Sequence, residues 1–277
     1  MKITVNDDLD LEKIINSGQC FRPVKVSDDT YRFITGRHMV EITDETPEDA
    51  KCDPDAGTVL SVSCGKSEWD SIWRPYFDLD TDYRKIRGSI PEDDGYLAKA
   101  ARLGAGIRIL RQDRFEMLIS FIISQRKSIP AIRTSIEKLV GIFGSDGFFP
   151  EPQAMMDATE EELASCSLGY RTAYVRDAVR RVACRDVDLD RLDDLPDEEL
   201  FGELKSFCGV GDKVANCVML FAYHRIGRAP VDTWIARIIN EEYGGADPFP
   251  RYEGVAGIMQ QYMFYRAQHA ERKPANS

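Results

Sequence analysis

The sequence predicts an α+β fold, with an N-terminal antiparallel β-sheet domain followed by an α-helical body. Three observations carry that reading. Up to about residue 85, short alternating runs such as Tyr31-Arg32-Phe33-Ile34-Thr35 and Thr58-Val59-Leu60-Ser61-Val62 lie between Asp, Pro and Gly turns, the pattern of half-buried strands and hairpins. From about residue 90 the apolar spacing becomes helical. Late in the chain, Gly209-Val210-Gly211 separates an acidic amphipathic stretch from an apolar one, as a helical hairpin would. We divide the chain into a sheet domain at 1–88 and a helical domain at 89–277, with the hairpin near 197–224.

In the helical part, Phe115-Glu116-Met117-Leu118-Ile119-Ser120-Phe121-Ile122-Ile123 is apolar nearly all round and predicts a buried helix. Further helices are expected over 132–142, 152–164, 174–184 and 197–207, with short polar joins. Residues 273–277 are expected to fray.

Composition narrows the function classes. The 277 residues are 43% hydrophobic and 10% aromatic, so the chain can bury a core and is not disordered. No apolar run approaches a membrane span, and the acidic start MKITVNDDLDLEKII lacks a secretory apolar stretch. An intracellular protein without membrane association is expected, in the cytoplasm or nucleoid, or in the nucleus of a eukaryote. The cysteines (Cys20, Cys52, Cys64, Cys166, Cys184, Cys208 and Cys217) are scattered singly and the three histidines are far apart. Neither a disulfide framework nor a zinc or iron–sulfur site is expected.

The net charge of −11 argues against a nucleic-acid partner, because affinity for DNA rests largely on neutralising phosphates. The distribution is uneven, however. Basic residues gather at 108–114, 126–133 and 171–185, and acidic ones at 186–203, which leaves room for a local basic face.

The hairpin is the most informative stretch. A helix beginning near Asp212 presents free N–H groups and its positive dipole end, a site suited to a DNA phosphate. Glycines serving packing alone would explain the same spacing, and spacing does not choose between the two. Lys213 falls in the first turn of this helix, where a cation is disfavoured. A partly desolvated lysine there would lose its proton more readily and act as a nucleophile, whereas a surface lysine would simply be solvated. Nineteen residues on, Pro230-Val231-Asp232 precedes another helix. Asp232 reads as its N-cap, and also as a fixed carboxylate able to stabilise a cationic sugar.

The run Gly-Val-Gly-Asp-Lys-Val-Ala-Asn-Cys (209–217), followed by Pro-Val-Asp (230–232), resembles the helix-hairpin-helix DNA glycosylases, and among them the 8-oxoguanine DNA glycosylases. Ser17-Gly18-Gln19-Cys20-Phe21-Arg22, Tyr76-Phe77-Asp78-Leu79-Asp80, Arg111-Gln112-Asp113-Arg114-Phe115-Glu116, Leu168-Gly169-Tyr170-Arg171-Thr172-Ala173-Tyr174-Val175 and Gly257-Ile258-Met259-Gln260-Gln261-Tyr262-Met263-Phe264 resemble further motifs of that family in order. The resemblance implies a monomeric base-excision enzyme acting on double-stranded DNA with an oxidised purine, with glycosylase and β-lyase activity.

By the same resemblance, Lys213 attacks C1′ and forms a Schiff base, and Asp232 stabilises the developing charge. Gly18 offers its carbonyl to the N7–H of 8-oxoguanine, Gln260 bonds the Watson–Crick edge, and Phe264 and Cys217 flank the base. Tyr170 wedges into the duplex, and Arg126, Arg171, Gly209 and Gly211 join it in contacting DNA. Phe264 and Cys217 would otherwise read as core residues. No metal cofactor is required, and the resemblance allows a monovalent cation on hairpin carbonyls near Gly209 and Gly211.

Two positions depart from the family pattern. Arg126 stands where asparagine is common, which leaves the opposite-base preference open, and Trp234 stands where histidine is usual. Two other readings remain: a monofunctional alkylpurine glycosylase of the 3-methyladenine type, against which Lys213 argues, and a non-catalytic DNA-binding repair accessory.

Overall fold

The computed structural model describes residues 1–48, 50 and 57–270; Cys52 and the predicted fraying at 273–277 lie outside them. The strands are β1 (Lys2–Val5), β2 (Val24–Ser27), β3 (Thr30–Thr35), β4 (His38–Asp44) and β5 (Thr58–Val62). Helix α1 (Leu11–Ile15) follows β1. After β5 come α2 (Lys66–Glu68), α3 (Arg74–Tyr76), α4 (Tyr83–Gly88), α5 (Gly95–Leu103), α6 (Arg114–Ser124), α7 (Ile129–Phe143) and α8 (Glu160–Ser165). The chain then forms α9 (Thr172–Ala183), α10 (Asp197–Lys205), α11 (Asp212–Phe221), α12 (Thr233–Glu242) and α13 (Ala256–Ala270). This is the α+β architecture expected, with the sheet first. No helix among the described residues is long and apolar enough to cross a membrane.

By contact the chain forms two compact units, each discontinuous in sequence. One comprises Met1–Phe33, Val40–Leu110 and the chain from Ile226 onward; the other comprises Ile34–Met39 and Arg111–Arg225. The boundary at residue 88 separated kinds of element, whereas these units group residues by contact.

In the first unit the sheet runs β1-β5-β4-β3-β2. The pairs β1–β5, β4–β5 and β2–β3 are antiparallel, with Ile3 opposite Leu60 and Ile42 opposite Val62. Period-two alternation turns Tyr31, Phe33, Val40, Ile42, Leu60 and Val62 to one buried face. Trp69, Trp73, Tyr76 and Phe77 cover that face, with Phe33 edge-on to Phe77 at 4.9 Å. Each such fully buried side chain contributes roughly 1.5–3 kcal/mol.

Arg108, wholly buried, ties together the turn after α3. It donates to the carbonyls of Phe77 (3.0 Å), Asp78 (2.6 Å), Thr81 (2.6 Å) and Asp8 (2.7 Å) and to the Asp7 carboxylate (2.9 Å). A buried guanidinium is tolerable only when its donors are satisfied in this way. Further along, α5 packs on α13. Asp94 caps α5 at Leu97 N (3.0 Å) and accepts from the hydroxyls of Tyr243 (2.8 Å) and Tyr252 (2.5 Å).

In the second unit, α6 is buried from Phe115 through Ile123, as its all-round apolar sequence requires, and packs against α7, α9 and α11. The helix expected over 152–164 divides into a 3-10 turn at Pro152–Met155 and α8. The cause is a capping box: Thr159 Oγ1 accepts from Glu162 N, and the Glu162 carboxylate accepts from Thr159 N. A residue so capped sits outside the helix it begins.

Candidate active site

Helices α10 and α11 form the hairpin. Gly209 adopts φ +76°, and a Cβ there would stand 2.3 Å from the Tyr174 ring. Both the conformation and the space therefore demand glycine. Cys208 N donates to Asp177 Oδ2 (3.0 Å), fastening the turn to α9. Gly211 is the N-cap of α11 and supplies no side-chain cap, so the first-turn N–H groups keep their capacity for an anion.

Lys213 is half-buried in that first turn. Its Nζ lies 5.3 Å from the centroid of the Phe121 ring, which stacks on Phe221 with centroids 5.5 Å apart. An aromatic face attracts an ammonium through its quadrupole, so the Lys213 head rests on Phe121. Cys217, one turn further along α11, is buried.

In the first unit Asp232 is the N-cap of α12, its Oδ1 accepting from Ile235 N at 2.9 Å. The expected capping role is therefore present, and one oxygen performs it. Gly18 adopts φ +77° between Ser17 and Gln19, both wholly buried. Gln19 donates to Ser17 Oγ and to Arg108 O (both 2.9 Å) and accepts from Leu110 N (2.8 Å), so the backbone on either side of Gly18 is fixed. On α13, Gln260 is buried and accepts from Gln261 Nε2 (3.1 Å), while Phe264, four residues on, is half-buried. Trp234 lines a cavity of about 150 Å³ with Tyr96, Arg237 and Arg266.

The remaining candidates lie where α6, α7 and the 165–171 segment meet. Arg126 is exposed and adopts φ +51° in the α6–α7 turn. Tyr170 is 53% exposed. Arg171 is buried: its Nη1 donates to Leu168 O (3.1 Å), its Nη2 to Gln125 O, and its guanidinium lies 4.3 Å from the centroid of the Tyr170 ring. Arg171 thus braces the Tyr170 ring and the turn carrying Arg126.

Gly18, Asp232, Gln260 and Phe264 belong to the first unit, and Arg126, Tyr170, Arg171, Gly209, Gly211, Lys213 and Cys217 to the second. Each unit gathers its own set. The reading of the sequence missed Phe121, Tyr174 and Gln19. Gln19 lay inside a recognised motif. Tyr174 also lay inside a recognised motif, whereas Phe121 carried no signal of its own, because an aromatic in a helical stretch looks like any other core residue. Among the described residues no group of three or more His, Cys, Asp or Glu side chains is placed to hold a metal ion.

Residues 2–118 match the profile described as the 8-oxoguanine DNA glycosylase N-terminal domain, and residues 119–262 that of the HhH-GPD superfamily of base-excision DNA repair proteins. A probable N-glycosylase/DNA lyase of Methanothermobacter thermautotrophicus is 26% identical, over 98% of this chain and 96% of its own. The 8-oxoguanine glycosylase/lyase of Clostridium acetobutylicum, solved with double-stranded DNA containing cytosine opposite 8-oxoG, superposes with a TM-score of 0.85 at 30% identity, covering 98% of each chain. MBOgg1 in complex with a low-affinity DNA ligand gives a TM-score of 0.87 at 30% identity, over 98% of this chain and 96% of that one.

Proposed function

The chain belongs to the 8-oxoguanine DNA glycosylase family of the helix-hairpin-helix superfamily, and from that premise we propose that it excises 8-oxoguanine from duplex DNA and cleaves the abasic site through a Schiff base on Lys213. One observation supports this most: the only lysine of the hairpin's second helix stands in its first turn, half-buried, at the motif position of an amine nucleophile. In the reaction, the Lys213 amine attacks C1′ and the N-glycosidic bond breaks. The base leaves with the bonding electrons and a proton. The C1′–O4′ bond then breaks, O4′ taking a proton from solvent, which opens the sugar and leaves C1′ joined to Lys213 as an iminium; this makes a C2′ proton acidic, and its loss expels the 3′ phosphate by β-elimination. Asp232, held by its cap bond, supplies the negative charge that favours the cationic sugar.

Base choice in this proposal falls to the Gly18 carbonyl, with Gln260 at the base edge and Phe264 and Cys217 at its faces. A carbonyl left facing an unmatched base is costly, which is why one rigid acceptor can discriminate. Tyr170 takes the place of the extruded nucleotide. No metal is needed for this chemistry. A monovalent cation would sit on the carbonyls near Gly209 and Gly211, where the close packing of Gly209 on Tyr174 fixes the backbone as such a site requires. The enzyme would act as a monomer, inside the cell.

Borohydride trapping on a duplex with 8-oxoguanine opposite cytosine tests the proposal. Wild type should give a covalent adduct and Lys213→Gln none. An adduct that survives the substitution, or base release confined to 3-methyladenine, would overturn it.

A further inference from the structure

In the second unit, several cations are paired with carboxylates. Arg37, Arg114, Arg176, Arg180, Lys205 and Arg225 each have one within ion-pair distance. The corner formed by the α6–α7 turn and the 165–168 segment is different. Lys127 Nζ donates to Ser135 Oγ (2.5 Å) and Ser167 O (2.6 Å). Lys138 Nζ donates to Ser165 O (3.2 Å) and Ser167 Oγ (3.0 Å). Both ammoniums therefore converge on one serine. Arg171 is bound to carbonyls beside them, and Arg126 projects from the exposed tip. Among the described residues none of these four cations has a carboxylate within ion-pair distance. Burial pushes the Lys127 ammonium below its ordinary value, and the charges of Arg171 and Lys138 push it the same way.

Like charges gathered without a counter-charge cost energy in the free protein, and an anion placed among them recovers it. The cations extend along a turn and an adjoining helix face, beside the exposed ring of Tyr170. That shape suits a polyanionic strand better than a single small anion. DNA offers one negative charge per roughly 1.7 Å of helix axis. We infer that Lys127 and Lys138, with Arg126, form a phosphate-binding strip through which this acidic chain holds the backbone of its duplex. The inference rests on the DNA-repair reading above and adds the residues that supply the electrostatic attraction. Part of the acidic charge elsewhere in the unit is engaged in local ion pairs, as at Asp186, Asp190 and Asp193.

The test is the salt dependence of binding to undamaged duplex DNA. Lys138 is exposed, so Lys138→Ala should fold; Lys127→Met is the second variant. Arg191→Ala, which removes an equal charge from the pair with Asp188 (3.5 Å), is the control. Each lysine variant should lower the magnitude of the slope of log K against log salt by about 0.9, with the control unchanged. Slopes equal to wild type in both lysine variants, with DNA still bound, overturn the strip alone. Failure of wild type to bind duplex DNA at any salt concentration overturns it together with the DNA-repair reading.

Discussion

Substituting Asp232 by asparagine and by alanine separates two duties of one carboxylate. Asparagine is as good an N-cap as aspartate, so Asp232→Asn should keep the bond to Ile235 N and the stability of α12 while losing the charge. Asp232→Ala loses both, and should cost about 1 kcal/mol, a fall in Tm of roughly 2–4 °C. Base-release rates and thermal melts of the two variants check this; equal melting losses would mean that the cap is not the structural duty. At this scale the placement of Lys213 in the first turn of α11 and of Asp232 as the cap of α12 was legible from local helix-start signals, while Gly18 was singled out only by resemblance. Phe121, on which the Lys213 ammonium rests, was not legible. Its role comes from the packing of α6 on α11, and no local pattern encodes which of several buried rings a distant lysine will meet.

Among the elements, the hairpin turn has the least tolerance. Gly209→Ala would force a methyl group to within 2.3 Å of Tyr174 in a left-handed conformation. Overpacking costs typically ~1–3 kcal/mol, and the backbone strain adds about 1 more. A thermal melt should register a loss of several degrees, and Tyr174→Ala in the same chain should recover part of it. The start of α4 offers a pH-dependent case. Burial raises the Asp7 carboxyl, but its bonds from backbone amides, including Tyr83 N (2.7 Å) and Arg84 N (2.9 Å), and from Arg108 outweigh this and hold it below the ordinary 3.8. A carboxylate depressed by folding contributes stability above the unfolded value that is lost as pH falls through the folded one. Denaturant midpoints should therefore decline below about pH 4, and Asp7→Asn should flatten that decline. Periodicity made α6, α7, α9 and α10 readable and left α5 unread; the division at Thr159 was not readable either, because a capping box inside an apolar pattern interrupts the backbone without interrupting the pattern.

For the whole molecule, the sequence conveyed the order of elements and not their grouping. Hydrophobic periodicity is local, so it cannot say that α12 and α13 belong with the N-terminal sheet rather than with the helices preceding them in sequence. The grouping has a direct test. A chain ending at residue 225 lacks α13, against which α5 packs, and the hydroxyls of Tyr243 and Tyr252 that bind Asp94. Amide exchange in α5 should then approach that of an open chain, while α6 and α11 stay protected. Protection of α5 undiminished by the truncation would disprove the dependence.

The same discontinuity sets a schedule for synthesis. About 150 residues separate the end of α5 from the start of α13. At roughly 5–20 residues per second, a nascent α5 waits on the order of 8–30 s for its partner. Throughout that wait Leu97, Ala100 and Ala101 have no α13 to cover them, and during it the other unit is synthesised through Arg225. Maturation of the first unit is therefore timed by the translation of α13, and slowing the ribosome after residue 225 should lengthen the period in which a chaperone can hold the chain.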